Sequence, residues 1–432
     1  MEISGWGRHP RIDARVLRPR TFGQLAATVA GEVSLIPRGG GRSYGDSALA
    51  PTVVETRHLD QLLAFDPATG VVRCAAGTTF AQLLDALLPH GWFPPVTPGT
   101  AAVTVGGAVA ADVHGKNHHR DGSFCDHLLS LEVLTESDGV VRCSPTERPE
   151  LFRATCGGMG LTGVILAATF RLRAVPGPWI EVESHRAPCL EALLERFAAH
   201  AQAPYSVAWI DCLARGRRRG RGILELGRHA PGPAAAPREP WRPAVPADLP
   251  GWLLARPAMA AFNALYYHRQ RRAVTRALRP CRAFFYPLDG IRHWNRLYGR
   301  QGFLQYQFVL PAEAAPAGVA AVLDRCAAAG KGSTLAVLKA LGPGNDNLLS
   351  FPREGLTLAL DFRLERDLPA FLQELDRLVV DHGGRHYLAK DARLSAEVFR
   401  TTYPRWEEFA AIRERYGGHR RYHSLQSHRL GL

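Results

Sequence analysis

Eight cysteines are scattered through the chain without a single C-x-x-C pair. That absence argues against the common zinc frameworks and against a disulfide-stapled scaffold; a reducing compartment is the default and no metal is expected. The first ten residues, Met-Glu-Ile-Ser-Gly-Trp-Gly-Arg-His-Pro, hold no apolar signal core. Nor does any segment supply the about 20 strongly apolar residues that a membrane span needs. The nearest approach, 98–119, is broken by Pro98, Gly99, Gly106, Gly107 and Asp112. A cytoplasmic or peripheral membrane location is therefore expected. Zinc-finger, ribonucleoprotein and helix-turn-helix signatures are missing too, so nucleic acid is not an expected partner.

What is present is an ordinary globular composition, 46% hydrophobic and 22% charged over 432 residues. That length suits two domains, since one core rarely grows past about 250 to 300 residues. Lys and Arg number 53 against 40 Asp and Glu, a formal charge of +13. The excess gathers in Arg215, Arg217, Arg218, Arg219 and Arg221, and again in Arg269, Arg271, Arg272, Arg276, Arg279 and Arg282. Such patches attract phosphates, including those of an anionic membrane surface, or are simply solvated faces.

Along the chain, Thr21 caps an expected helix Phe22 to Ala30, and Val33 to Ile36 reads as a buried strand. It leads into Arg38-Gly39-Gly40-Gly41-Arg42-Ser43-Tyr44-Gly45, where converging backbone N–H groups can cradle a phosphate. Gly39, Gly41 and Gly45 loosely imitate a nicotinamide dinucleotide fingerprint with Asp60 as its distal acid, but Pro51 breaks any following helix early. Asp66-Pro67-Ala68-Thr69-Gly70 reads as a hairpin turn before a strand Val71 to Ala75, and Thr79 caps a helix Phe80 to Pro89. Strands Leu131 to Thr135 and Val140 to Cys143 follow the run 98–119. A short helix Pro149 to Ala154 then enters Gly157-Gly158-Met159-Gly160-Leu161-Thr162-Gly163 and a strand from Val164. The run at Gly106-Gly107 alone fits a tightly packed helix equally well. Three glycine-rich elements in one stretch argue for one extended dinucleotide held by backbone atoms, and FAD is long enough to need all three.

Arg-Gly-Gly-Gly-Arg-Ser-Tyr-Gly-Asp at 38–46, Pro-Gly-Thr at 98–100, Thr-Val-Gly-Gly-Ala at 104–108, His-Gly-Lys-Asn-His-His at 114–119 and Gly-Gly-Met-Gly-Leu-Thr-Gly at 157–163 together resemble the vanillyl-alcohol-oxidase class of FAD enzymes. Within it the chain is most similar to the decaprenylphosphoryl-β-D-ribose 2′-oxidase family, with Tyr286-Pro287-Leu288-Asp289, Gly302 to Phe308 and Ala389-Lys390-Asp391 agreeing. The resemblance implies an α+β, two-domain PCMH-type fold. Residues 1–176 would form the FAD-binding domain, 177–388 a substrate domain built on an antiparallel sheet flanked by helices, and 389–432 a segment returning to the FAD domain. The Pro- and Ala-rich stretch 229–257 reads as a mobile loop of the substrate domain.

The resemblance also implies FAD contacts. They come from Arg38, Gly39, Gly40, Gly41, Arg42, Ser43, Tyr44 and Gly45; from Pro98, Gly99, Thr100, Thr104, Gly106, Gly107, Ala110, His114, Gly115, Asn117 and His118; from Gly158, Gly160, Thr162, Gly163 and Val164; and from Lys390. Several members of the class tether FAD through a His in the first loop; Arg42 stands there and cannot form that bond, so FAD is expected to be non-covalent. Lys390, His114 and Tyr44 are the expected catalytic groups, with Lys390 preferred as proton acceptor and His114 titrating near neutrality.

Gln305 and Gln307 share one face of an alternating strand whose other face carries Leu304, Tyr306 and Phe308. With Lys116, Lys339, Phe285 and Ala359 they are the expected substrate contacts. Ala359 stands where mycobacterial-type members carry a cysteine. The expected activity is oxidation of the ribose 2′-hydroxyl of a polyprenylphosphoryl-β-D-ribose, with quinone or oxygen reoxidising the flavin and a separate NAD(P)-dependent short-chain reductase completing a 2′-epimerisation for arabinan and cell-wall synthesis. A soluble alditol or aldonolactone oxidase, and a non-catalytic phosphate- or nucleic-acid-binding protein, are the alternatives.

Overall fold

The computed structural model describes residues 1–232 and 242–432. Three short strands, β1 (Arg15–Leu17), β2 (Ile36–Arg38) and β3 (Thr52–Glu55), form a parallel sheet in the order β1-β3-β2. Helix α1 (Phe22–Ala30) makes the crossover, and Thr21 Oγ1 accepts from the Gln24 N–H at 3.1 Å to cap it. The strand expected from Val33 starts only at Ile36. Val33 is 89% exposed, and the chain is still turning after Gly31, so Leu35 bridges to Tyr422 from the far end of the sequence instead.

A five-stranded antiparallel sheet comes next, built from β4 (Leu62–Asp66), β5 (Val71–Ala75), β6 (Leu128–Thr135), β7 (Gly139–Cys143) and β8 (Val164–Arg171) in the order β7-β6-β8-β5-β4. Asp66 closes the first hairpin by accepting from the Ala68 N–H and the Thr69 hydroxyl, while Gly70 takes φ +69°. Helix α2 (Phe80–Leu87) opens on a capping box of Thr79 and Gln82 and buries Leu83, Leu84 and Leu87. Pro89 lacks an N–H, so Leu88–His90 is a 3₁₀ turn and not the end of the helix. Asp60 accepts from the Gln82 side chain at 2.7 Å. It braces α2, and no helix follows the first glycine loop, which removes the nicotinamide-fingerprint reading. Helix α3 (Val105–Ala110) is the body of the 98–119 run, and a Cβ on Gly106 would lie 2.8 Å from that of Ala76. That glycine serves close helix–strand packing.

The larger sheet is antiparallel and eight-stranded: β9 (Trp179–Ala187), β10 (Tyr205–Ile210), β11 (Gly222–Ala230), β12 (Val274–Pro280), β13 (Phe303–Pro311), β14 (Val337–Leu341), β15 (Gly355–Arg363) and β16 (Arg385–His386), ordered β12-β9-β11-β10-β14-β15-β13-β16. Alternation divides its faces. Ala208, Leu224, Leu304, Phe308, Leu358 and Leu360 meet Leu193 of helix α4 (Leu190–Ala199), with Val319 and Leu323 of α6 (Ala315–Ala329) and Leu375 of α7 (Leu368–Asp381), in one core. Helix α5 (Arg256–His268) buries Met259, Asn263 and Tyr267. The fold is α+β.

Within the stretch 229–257, residues to Ala230 belong to β11, Gly251–Leu254 is a 3₁₀ turn and α5 begins at Arg256; 233–241 lie outside the described residues. No helix among the described residues is long and apolar enough to cross a membrane.

The last segment packs on the first. Leu425 N–H donates to Leu49 O at 2.8 Å, Gln426 donates to Leu388 O at 2.8 Å, and Arg429 pairs with both Asp46 and Asp391 at 2.8 Å.

Candidate active site

Between the smaller sheets and the open face of the large one lies a cavity of about 1050 Å³. Small-molecule sites usually span about 300–1,000 Å³, so this one has room for a dinucleotide and a second ligand. Arg38 to Tyr44 line it, as do Pro98, Gly99, Thr100, Thr104, Gly106, Gly107, Ala110, His114, Gly115, Gly160, Gly163 and Lys390. Lys116, Phe285, Gln305, Gln307, Lys339 and Ala359 line it too.

Six residues expected at the cofactor do not reach the cavity. Asn117 donates to Pro95 O at 2.8 Å and Asp121 at 2.6 Å. His118 accepts from the Gly342 N–H at 3.1 Å, and burial drops its pKa to about 4, so it is a neutral strut. Thr162 bonds Thr155 at 3.0 Å, and Val164 is buried among Leu25, Leu134 and Tyr422. Gly45 and Gly158 are close-approach glycines: a Cβ would sit 1.7 Å from Asp391 O and 2.0 Å from Ala154 O. All six shape the walls.

The first loop fits a diphosphate. Among the described residues, the backbone N–H groups of Gly39, Gly40, Gly41, Arg42 and Ser43 donate to no protein atom. Unmade donors in succession are an anion nest. A Cβ on Gly39 would lie 2.2 Å from Thr104 Oγ1 and one on Gly40 2.6 Å from Ala102 O, so only glycine lets the first loop close on the second. Arg38 is held by the carbonyls of Ser4 and Ala48 and stiffens the loop. Among the described residues Arg42 makes no direct ion pair, although the Asp289 carboxylate acts on it; its guanidinium lies 4.5 Å from the centre of the Trp6 ring.

At the other end the charges gather. Lys390 Nζ lies over the Tyr44 ring, and burial pulls its pKa down to about 7 although Asp361 pulls the other way. Asp361, pushed up to about 7 by burial, accepts from Gln305 at 2.6 Å and from the Tyr298 hydroxyl at 3.3 Å. Burial holds the Tyr44 phenol well above its usual range, so it stays neutral and serves as a ring platform for the amine. Lys339, on β14, and Lys116 are each lowered to about 8 by burial. Lys116 Nζ donates to Phe284 O and lies 4.1 Å from that ring's centre.

His114 packs against Phe351 and Tyr387, with ring centres 5.3 and 5.1 Å away. Gln307 Nε2 donates to its Nε2 at 3.0 Å, which leaves the proton on Nδ1, a buried atom without a partner among the described residues. Burial, then Lys339, drives its pKa well below the ordinary value. The expectation that it titrates near neutrality is corrected: it is a neutral, oriented ring.

A family profile described as an FAD binding domain matches residues 14–144. Decaprenylphosphoryl-β-D-ribose oxidase of Mycolicibacterium smegmatis is 36% identical over 430 residues, covering 95% of this chain and 93% of the relative. The chain belongs to the decaprenylphosphoryl-β-D-ribose oxidase family. It is an FAD-dependent oxidoreductase. An uncharacterized protein from the mprA 5′ region of Streptomyces coelicolor is 37% identical over 82% of this chain and all of its own length. Cytokinin dehydrogenase 8 of Oryza sativa subsp. indica is 37% identical over only 23% of this chain and 19% of its own.

Sequence reasoning missed three of this family member's site residues. Asp112, at φ +38°, accepts from Ser350 Oγ at 2.6 Å, Asn345 at 2.8 Å, Asn347 at 3.1 Å and the Cys125 N–H at 3.2 Å. It locks the turn that delivers His114. Asp112 stands behind the wall, whereas Asp361 and Trp209 line the cavity itself, and strand alternation from Ala359 would have flagged Asp361. The first arginine cluster is partly structural: Arg221 pairs with buried Asp211, and Arg219 with Glu191 and Asp324.

Proposed function

We propose that the protein oxidises the 2′-hydroxyl of a polyprenylphosphoryl-β-D-ribose to the 2′-ketone. Identity of 36% across nearly the full chain to a relative of that named activity carries the reading. When bound, FAD supplies the hydride acceptor. Lys390, neutral near its pKa of about 7, takes the hydroxyl proton at Nζ, and Tyr44 and Asp361 fix that nitrogen. Gln305 and Gln307 supply hydrogen bonds that orient the sugar, and His114 holds the Gln307 amide in place. Lys116 and Lys339 face the phosphate.

Quinone or oxygen then takes the electrons, a separate NAD(P)-dependent short-chain reductase reduces the ketone, and the net 2′-epimerisation feeds arabinan and cell-wall synthesis. Exposed Arg271 and Arg272 favour contact with an anionic membrane surface, where such a lipid resides. Anaerobic bleaching of the flavin by a prenylphosphoryl riboside, and not by xylitol or gulonolactone, tests the reading. Bleaching only by the free polyol or lactone would establish the alditol or aldonolactone oxidase instead.

A further inference from the structure

The cavity extends well past its charged end. Across five neighbouring strands one residue from each stands in register: Gln307 opposite Ala359, Ala359 opposite Val337, Val337 opposite Trp209, and Trp209 opposite Ile223. All five line the cavity. Neighbouring strands lie about 4.8 Å apart, so the row runs about 19 Å across the sheet. Its first member bonds His114; from Ala359 onward it is apolar.

Beyond Trp209 the row continues in aromatic rings. Tyr266 of α5 lies 4.6 Å from Trp209 between ring centres and also lines the cavity, and Phe262 stacks on Tyr266 at 5.9 Å. Phe262 is 44% exposed and Leu265 is 74% exposed. Arg269 caps the opening, its guanidinium 3.7 Å from the centre of the Tyr266 ring. An apolar lane therefore begins at the reacting end and emerges on the surface of α5. Neither a sugar nor a phosphate gains from such a wall; a hydrocarbon does.

We propose that this lane binds the isoprenoid tail of the substrate and leads it out of the protein beside Phe262 and Leu265. The inference rests on the substrate being a polyprenyl-phosphate sugar. The tail lies along Ala359, Val337, Trp209 and Ile223, crosses Tyr266, and leaves the cavity where α5 meets solvent or a bilayer.

Polyprenyl monophosphates of increasing length carry no ribose and cannot be oxidised, so their binding to the flavin-loaded protein, read by calorimetry, reports on the tail alone. Affinity is expected to rise about tenfold with each isoprene unit inside the lane and then to level off. At the exposed end, Phe262→Ser is expected to flatten that rise while the single-unit phosphate binds as it does to the native protein. Phe262 is exposed, so its replacement leaves the core intact. Affinity independent of tail length, or equal losses for short and long tails, overturns the lane. A length-dependent rise without bleaching by any riboside leaves the lane standing and removes the sugar assignment. Bleaching by the riboside with length-independent binding does the reverse.

Discussion

Lys390 Nζ lies 3.8 Å from the centre of the Tyr44 ring, enclosed in the cavity wall with the Asp361 carboxyl, itself pushed up to about 7 by burial, as a neighbour. An amine that accepts a proton must first be unprotonated. Flavin reduction is therefore expected to be slow in acid, to climb with pH, and to level above about 7. Lys390→Met is expected to slow reduction by about 10²- to 10⁴-fold and to abolish the climb while the preparation stays yellow. Stopped-flow reduction across pH checks this; a normal rate in the variant removes Lys390 as the base.

Asp112 gathers four donors, and its removal leaves two of them, Ser350 Oγ and the Cys125 N–H, buried without their acceptor. Asp112→Ala is expected to cost about 3 kcal/mol or more. Thermal unfolding is expected at a lower temperature, and because His114 lies two residues on, flavin content should fall in parallel. Differential scanning calorimetry with flavin absorbance measures both.

Gln307→Leu keeps the bulk of the side chain and deletes the donor to His114 Nε2 and to Thr357 Oγ1. The unfolding temperature is expected to fall by a few degrees, because His114 Nε2 is left buried and unpaired, whereas flavin reduction is expected to fall by about 10²-fold through misplacement of the ring and sugar. Comparison of single-turnover rate with unfolding temperature separates the two.

Among the described residues no cysteine lines the cavity, and Ala359 sits on its wall, 9% exposed. Thiol-directed inhibitors are expected to form no covalent adduct with the native protein and to form one with Ala359→Cys, whose turnover stays normal. Intact-mass spectrometry reads the adduct; slow modification of the native chain would contradict the prediction.

Arg42 and the bare backbone of Gly39 to Gly41 offer the flavin ion pairing and hydrogen bonds only. Unfolding in denaturant is expected to release all yellow colour into the filtrate, with no flavin on the protein's mass.

What the sequence made legible was local. Glycines that bar a Cβ, the cap at Thr79, the hairpin at Asp66 and the alternation of Gln305 and Gln307 each act within a few residues, and their pattern survives in a linear reading. The Asp112 clamp was illegible because its donors at 345–350 lie more than half the chain away. Asn117 and His118 misled for a related reason. Their motif names polar side chains but not the partners, Pro95 O and the Gly342 N–H, that claim them. His114 shifted because its neighbours Phe351 and Tyr387 arrive from loops distant in sequence to desolvate it.

The seating of the final segment on the first fifty residues has a consequence for biosynthesis. A nascent chain that has emerged as far as Thr357 already carries every glycine loop, yet it has neither Lys390 over Tyr44 nor Arg429 bound to Asp46. The cavity wall at Lys390 therefore closes only after the glycine loops have long been made. A chain truncated before Lys390 would carry the phosphate loops but no closed chamber.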